Sequence, residues 1–175
     1  MIVFPDPQKV EENDFLRAWL QKRLKDTVVG SETWCLGICR DEKLVAVAGF
    51  TNYRTVDIEI LFASDNPRWA TRQTFAWILA FPFVQLNTQR CTAMVLKSNK
   101  RVRKLLLGAG FREEGRHLHA AKNLETMLSY GITKAYYLKR YGLRNPLPSP
   151  SDVDTGDSAL SNSKLSANGG VGHAA

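Results

Sequence analysis

Lys97-Ser-Asn-Lys-Arg-Val-Arg-Lys-Leu-Leu-Leu-Gly-Ala-Gly-Phe-Arg-Glu-Glu-Gly-Arg116 is the stretch around which the rest of the chain organises itself. Asn99 has the side chain of a helix N-cap, an oxygen that takes a free backbone N–H of the first turn. The helix it opens runs to about Leu107 and stops at Gly108-Ala-Gly110, where the last turn needs a residue free of Cβ strain. A strand around Phe111 to His119 follows. In front, Cys91-Thr-Ala-Met-Val-Leu-Lys97 is a short apolar run of strand length. The unit is therefore strand, helix, strand.

Further upstream, Pro67 stands where a helix can begin, and Trp69 to Phe81 carry apolar residues at helical spacing. Pro82 should end or kink that helix. Thr55-Val-Asp-Ile-Glu-Ile-Leu-Phe-Ala63 alternates strictly, with Val56, Ile58, Ile60 and Phe62 on one face and Asp57 and Glu59 on the other. Thr33 to Arg40 and Leu44 to Phe50, joined by Asp41-Glu42-Lys43, read as a hairpin. Glu11 to about Lys25 places Phe15, Leu16, Trp19, Leu20 and Leu24 on one helical stripe, with Asn13 or Asp14 at the cap. A last strand is expected around Thr133 to Lys139. The sum is a mixed α/β or α+β layer protein.

The 175 residues suffice for one domain with a sizeable core. Residues 145–175 contain no aromatic residue and are rich in Ser, Gly, Asn, Pro and Asp. They read as a flexible polar tail behind a domain of residues 1–144, or as a segment that docks on a partner. The tail holds three aspartates and one lysine, so the net charge of +7 leaves +9 on the first 144 residues. Such a body attracts polyanions, whether a phosphorylated cofactor, nucleic acid or an acidic partner. No apolar run approaches the roughly 20 residues of a membrane span, and the first residues lack a secretory pattern. Cys35, Cys39 and Cys91 form no Cys-x-x-Cys pair, which suits a reduced, cytoplasmic compartment and no metal centre.

Asn99, Gly110-Phe111 and Glu114-Gly115-Arg116 resemble the second half of a GNAT acetyltransferase. The Glu-Gly-Arg version is similar to the branch that acetylates ribosomal-protein N-termini. Arg68 to Arg72 and Phe81 to Leu86 resemble GNAT-like proteins of tailed phages and prophages. The resemblance spans about residues 36–138. It implies a mixed, partly splayed central sheet flanked by helices, with acetyl-CoA as co-substrate. In such a fold the pyrophosphate rests on free N–H groups at the start of the central helix. The matching stretch is Arg68-Trp-Ala-Thr-Arg-Gln73, in which Thr71 and Gln73 replace two small positions. Arg68, Thr71 and Arg72 then contact phosphate through their side chains; the other reading is a surface helix start with two solvated arginines. Asn99 is a cap, and the resemblance also turns it toward the pantetheine arm. Lys97, Lys100, Arg101, Arg103 and Lys104 form either a solvated face or a site from which Arg101 and Arg103 reach the cofactor's 3′-phosphate. Aromatic residues do not interleave with them, which argues against nucleic acid as the partner.

The implied chemistry is attack of an amine on a thioester carbonyl, which needs a base and an oxyanion donor. Glu59 is the expected base, directly or through water, with Asp57 beside it on the same face. The other reading is a pair of strand carboxylates without a role. A backbone N–H among Leu61, Phe62 and Ala63 is the expected oxyanion donor. The tyrosine that serves as acid in many family members is Leu106 here. His117 and His119 lack a third ligand and read as surface or groove histidines. The expected function is N-acetylation of an amine acceptor, a protein N-terminus, a lysine or a small amine. The alternative is a GNAT fold without catalysis, a phage virion-associated or host-interaction protein whose partner meets the tail.

Overall fold

The computed structural model describes residues 2–3, 9–24 and 27–142. The expected tail, and the boundary after residue 144, lie outside the described residues. Seven strands form one sheet in the order β1-β2-β3-β4-β5-β7-β6, comprising β1 Ile2–Val3, β2 Trp34–Arg40, β3 Lys43–Thr51, β4 Asp57–Ser64, β5 Arg90–Leu96, β6 Arg112–His117 and β7 Met127–Thr133. Only β4 and β5 are parallel, as a strand–helix–strand crossover requires. Among the described residues the sheet is accompanied by four α-helices, α1 Val10–Arg23, α2 Arg72–Ala80, α3 Lys100–Ala109 and α4 Lys134–Tyr141.

The hairpin forms, with a tighter connection than the three-residue link expected. Arg40 pairs with Lys43, which leaves Asp41 and Glu42 as the whole turn, both with positive φ (48° and 60°). Two left-handed central residues are what a type I′ turn demands. Helix α1 also forms, but its cap differs. Lys9 occupies the cap position and makes no side-chain capping bond to the first-turn backbone. Asn13 lies inside the first turns and reaches across to β2, donating to the Thr33 carbonyl and accepting from the Cys35 N–H, both at 3.0 Å. Phe15 falls outside the buried stripe and is exposed, while Leu16 and Leu20 fill the contact with Cys35, Val47 and Ala63. Val56 likewise lies ahead of β4 and is exposed.

At Pro82 the regular α-helical bonding gives out. Instead of ending, α2 widens into a π-helical turn over Phe81–Gln85, whose looser bonding tolerates the missing N–H. The expected last strand is misplaced. Strand β7 is Met127–Thr133, and Thr133 then caps α4 by accepting the Tyr136 N–H at 3.3 Å. Tyr136 and Tyr137 are β-formers by propensity, yet Tyr137 packs on Phe83 with ring centroids 5.1 Å apart and donates to the Ala76 carbonyl. Tertiary burial overrides propensity here.

Alternation along the strands assigns the two faces. Helix α1 covers β2, β3 and β4 on one face. On the other, α2 and the 3₁₀ turn before it, Pro67–Trp69, meet β4 through Phe75, Trp69 and Phe62, and α3 meets β7 through Arg103, whose Nε donates to the buried Tyr130 hydroxyl.

Candidate active site

The parallel β4–β5 ladder is three rungs long: Asp57 with Arg90, Ile58 with Cys91, Glu59 with Thr92. Past Glu59 the strands part, β4 continuing on β3 as far as Ser64 and β5 on β7 as far as Leu96. Backbone groups of Ile60–Ser64 that point toward β5 have no strand partner there. The splay expected in the sheet is this fork.

The fork opens on a cleft of about 920 Å³. Phe62, Ala63 and Ser64 form its floor, Trp69 and Phe75 one wall, and the start of α2 and one side of α3 the rest. Among the described residues four cations line it, Arg72, Arg101, Lys104 and Arg140, and no carboxylate does. Thr71 caps α2 by accepting the Thr74 N–H at 3.1 Å, so the N–H groups of Arg72 and Gln73 remain as the first-turn donors. Their positive helix end adds to the cationic lining. Asn99 caps α3, accepting from Val102, and lines the cleft as well.

The other expected contacts divide. Arg101 lines the cleft; Arg103 does not. Two residues apart on a helix they face about 200° apart, and Arg103 is occupied with Tyr130, the Lys97 carbonyl at 3.1 Å and Glu113 at 3.8 Å. Arg68 sits in a single 3₁₀ turn, exposed and outside the lining. Leu61 turns its side chain toward α1, which leaves only its backbone to the fork.

Helix α4 brings residues that the strand reading hid. Tyr141 donates to the Ala109 carbonyl at 2.7 Å, Arg140 to the Gly108 carbonyl, and Arg72 to the carbonyl of Arg140. Both guanidiniums lie about the Tyr141 ring, 5.9 Å and 5.7 Å from its centroid. Nε of Arg140 is buried without a hydrogen-bond acceptor. Gly108 lines the cleft from the last turn of α3, and a Cβ there would meet nothing within 4 Å. Ordinarily a glycine in a helix is destabilising, and no neighbour in the chain requires this one.

Asp57 and Glu59 lie on the face opposite the cleft helices, at the vertex of the fork. Arg54 donates to both, at 2.9 and 3.3 Å; Asn52 donates to Glu59 at 3.1 Å and Thr92 to Asp57 at 2.9 Å. Arg90 is held by Glu114, across β7, in the room that Gly131 leaves by having no Cβ. Those contacts keep the Arg90 guanidinium above its usual pKa. Leu106 is fully buried and offers no acid. His117 bonds Ser129 at 3.1 Å, and no group of three metal-ligating side chains occurs among the described residues.

No protein-family model matches the chain, and no curated protein does. Solved structures do. A point mutant of the spermidine N-acetyltransferase SpeG of Vibrio cholerae superimposes with a TM-score of 0.65 at 14% identity, over 80% of this chain and 98% of that one. The chain has the GNAT fold. A probable acetyltransferase matches with a TM-score of 0.58 at 16% identity, covering 77% and 93% of the two chains. The ribosomal-protein-S5-alanine acetyltransferase of Vibrio fischeri matches with 0.51 at 15%, covering 60% and 63%. In this GNAT fold no described helix is long and apolar enough to cross a membrane.

Proposed function

We propose that the chain is an acetyl-CoA-dependent N-acetyltransferase of the cytoplasm, acting on an amine acceptor. The observation that carries this reading is the forked β4–β5 pair opening on a cleft in whose lining the described residues supply four cations and no carboxylate. The residues present fit the group. Arg72, Arg101, Lys104 and Arg140, with the first-turn N–H groups of α2, would hold its phosphates; the empty space at Gly108 and the ring of Tyr141 suit a flat base. When bound, acetyl-CoA supplies an acetyl thioester.

On this reading Glu59 accepts the acceptor's proton, directly or through one water. A strand N–H among Leu61, Phe62 and Ala63, unpaired because of the fork, stabilises the charge developing on the carbonyl oxygen. Asp57 is a positioning residue, fixing Arg54 and Thr92 beside Glu59. With Leu106 buried, no side chain stands at the matching place to protonate the departing thiolate, which falls to water.

That same leucine favours a second reading, a GNAT fold that does not turn over and serves as a phage virion-associated or host-interaction protein. Calorimetric titration with acetyl-CoA separates the two. Saturable binding, followed by acetyl transfer to an amine panel, supports the enzyme. Absence of binding removes it.

A further inference from the structure

Asp57 and Glu59 are largely covered, with side chains 16% and 22% exposed, whereas the Arg54 guanidinium that bridges them is 56% exposed. The acids are thus part of the sheet surface and the cation lies over them from outside. Arg54 arrives on the loop between β3 and β4, where Asn52 and Thr55 both take left-handed backbone, φ 51° and 64°. For a β-branched residue such a conformation is strained. It turns the chain so that the Arg54 N–H bonds the Asp57 carbonyl at 2.8 Å while its side chain folds back over the carboxylates.

The neighbouring charges are committed elsewhere. Arg90 pairs with Glu114 and stands 3.9 Å from Asp57. Glu59 has Asn52, a neutral donor, as its other side-chain partner. Without Arg54, the two adjacent carboxylates at the fork's vertex would keep one cation near Asp57, the Arg90 already paired with Glu114, and among the described residues none on Glu59. That is a seat for a flexible dication. With Arg54 in place the seat is filled.

We propose that Arg54 determines acceptor specificity: its guanidinium occupies the place on Asp57 and Glu59 that the second cationic group of a di- or polyamine would take, and so excludes such acceptors in favour of amines without one. This rests on the acetyltransferase reading for the role of this sheet face as an acceptor site, but its test reads binding and needs no turnover.

Spermidine is titrated calorimetrically, at low ionic strength, into the full chain and into Arg54→Gln, Arg54→Lys and the double variant Arg54→Gln/Asp57→Asn. Propylamine, with a single charge, serves as the comparison. Arg54→Gln is expected to bind spermidine at least about tenfold more tightly than the unaltered chain, the scale of one like charge removed at close range in a partly solvated site. Arg54→Lys should keep the exclusion, and Asp57→Asn should abolish the gain. Propylamine should change by less than about twofold. Equal spermidine affinity with and without Arg54, no measurable binding by Arg54→Gln, or an equal gain for propylamine overturns the inference. If acetyl-CoA binds while the gain is absent, this inference alone fails. If the gain appears without acetyl-CoA binding, the enzymatic reading fails instead.

Discussion

Glu59 and Thr92 form the last rung of the parallel β4–β5 ladder, and the fork begins one residue beyond them. The proposed base therefore stands where the sheet changes from a closed surface to an open slot. Glu59→Gln keeps the side chain's size and its bond from Asn52 but cannot accept a proton. It should lower kcat by roughly 10²–10⁴-fold with little change in acetyl-CoA affinity. Steady-state kinetics beside a binding titration check this, and full kcat in the variant removes Glu59 from the mechanism.

Removing Arg72 and Lys104 together should weaken acetyl-CoA binding by about 2–4 kcal/mol through lost charge-assisted bonds. Arg68→Ala should leave binding unchanged, because that side chain lies outside the lining. Calorimetry on the three proteins is enough. An effect of Arg68 as large as that of the pair would move the phosphates to the 3₁₀ turn.

Gly108→Ala should stabilise the protein by about 1 kcal/mol, the helix-propensity difference, since the added methyl meets nothing. In a chain of this size that is a rise in Tm of about 2–4 °C. Gly108→Leu should preserve the fold and lower acetyl-CoA affinity by filling the cleft. A thermal melt and a titration read both arms, and unaltered affinity in the leucine variant would take the ligand away from α3.

Burial pushes the Cys35 thiol up to about 12 and holds the enclosed Cys91 thiol well above its usual range. An unfolded thiol titrates near about 8.5. Because the folded pKa is the higher one, this contribution to stability is complete below about pH 8.5 and is lost as pH rises toward 12. Melts across that window should fall more steeply for the unaltered chain than for Cys35→Ala. Parallel slopes would mean that the thiol does not titrate in this way.

Local rules made much of this legible. Asn99 does cap α3, Gly110 ends it with φ 96°, and the alternation from Ile58 places Asp57 and Glu59 together on one face. These are short-range patterns, set by hydrogen bonding and by the two-residue period of a strand. Misreadings came where distant packing decides. Tyr136 and Tyr137 look like strand residues until Phe83 and Ala76 are placed beside them. Arg140 and Tyr141 were hidden for the same reason. Arg101 and Arg103 are near in sequence, but helical rotation separates them; the spacing Arg101, Lys104, Leu105, Gly108 is what marks the cleft-facing side. Arg54 gave no sign, because its place depends on a left-handed turn at Thr55 that no residue type announces.

A ladder of only three rungs makes β4–β5 a seam. On one side β1 to β4 form a half-sheet under α1; on the other β5, β7 and β6 form a second. Each half has long antiparallel pairings of its own, so partial opening should run along the seam before either half loses structure. A ligand spanning the fork is then a clasp between two half-molecules. Its binding energy adds to global stability by mass action, and it should also slow amide exchange selectively at Ile58, Glu59, Cys91 and Thr92, far more than within the β2–β3 hairpin.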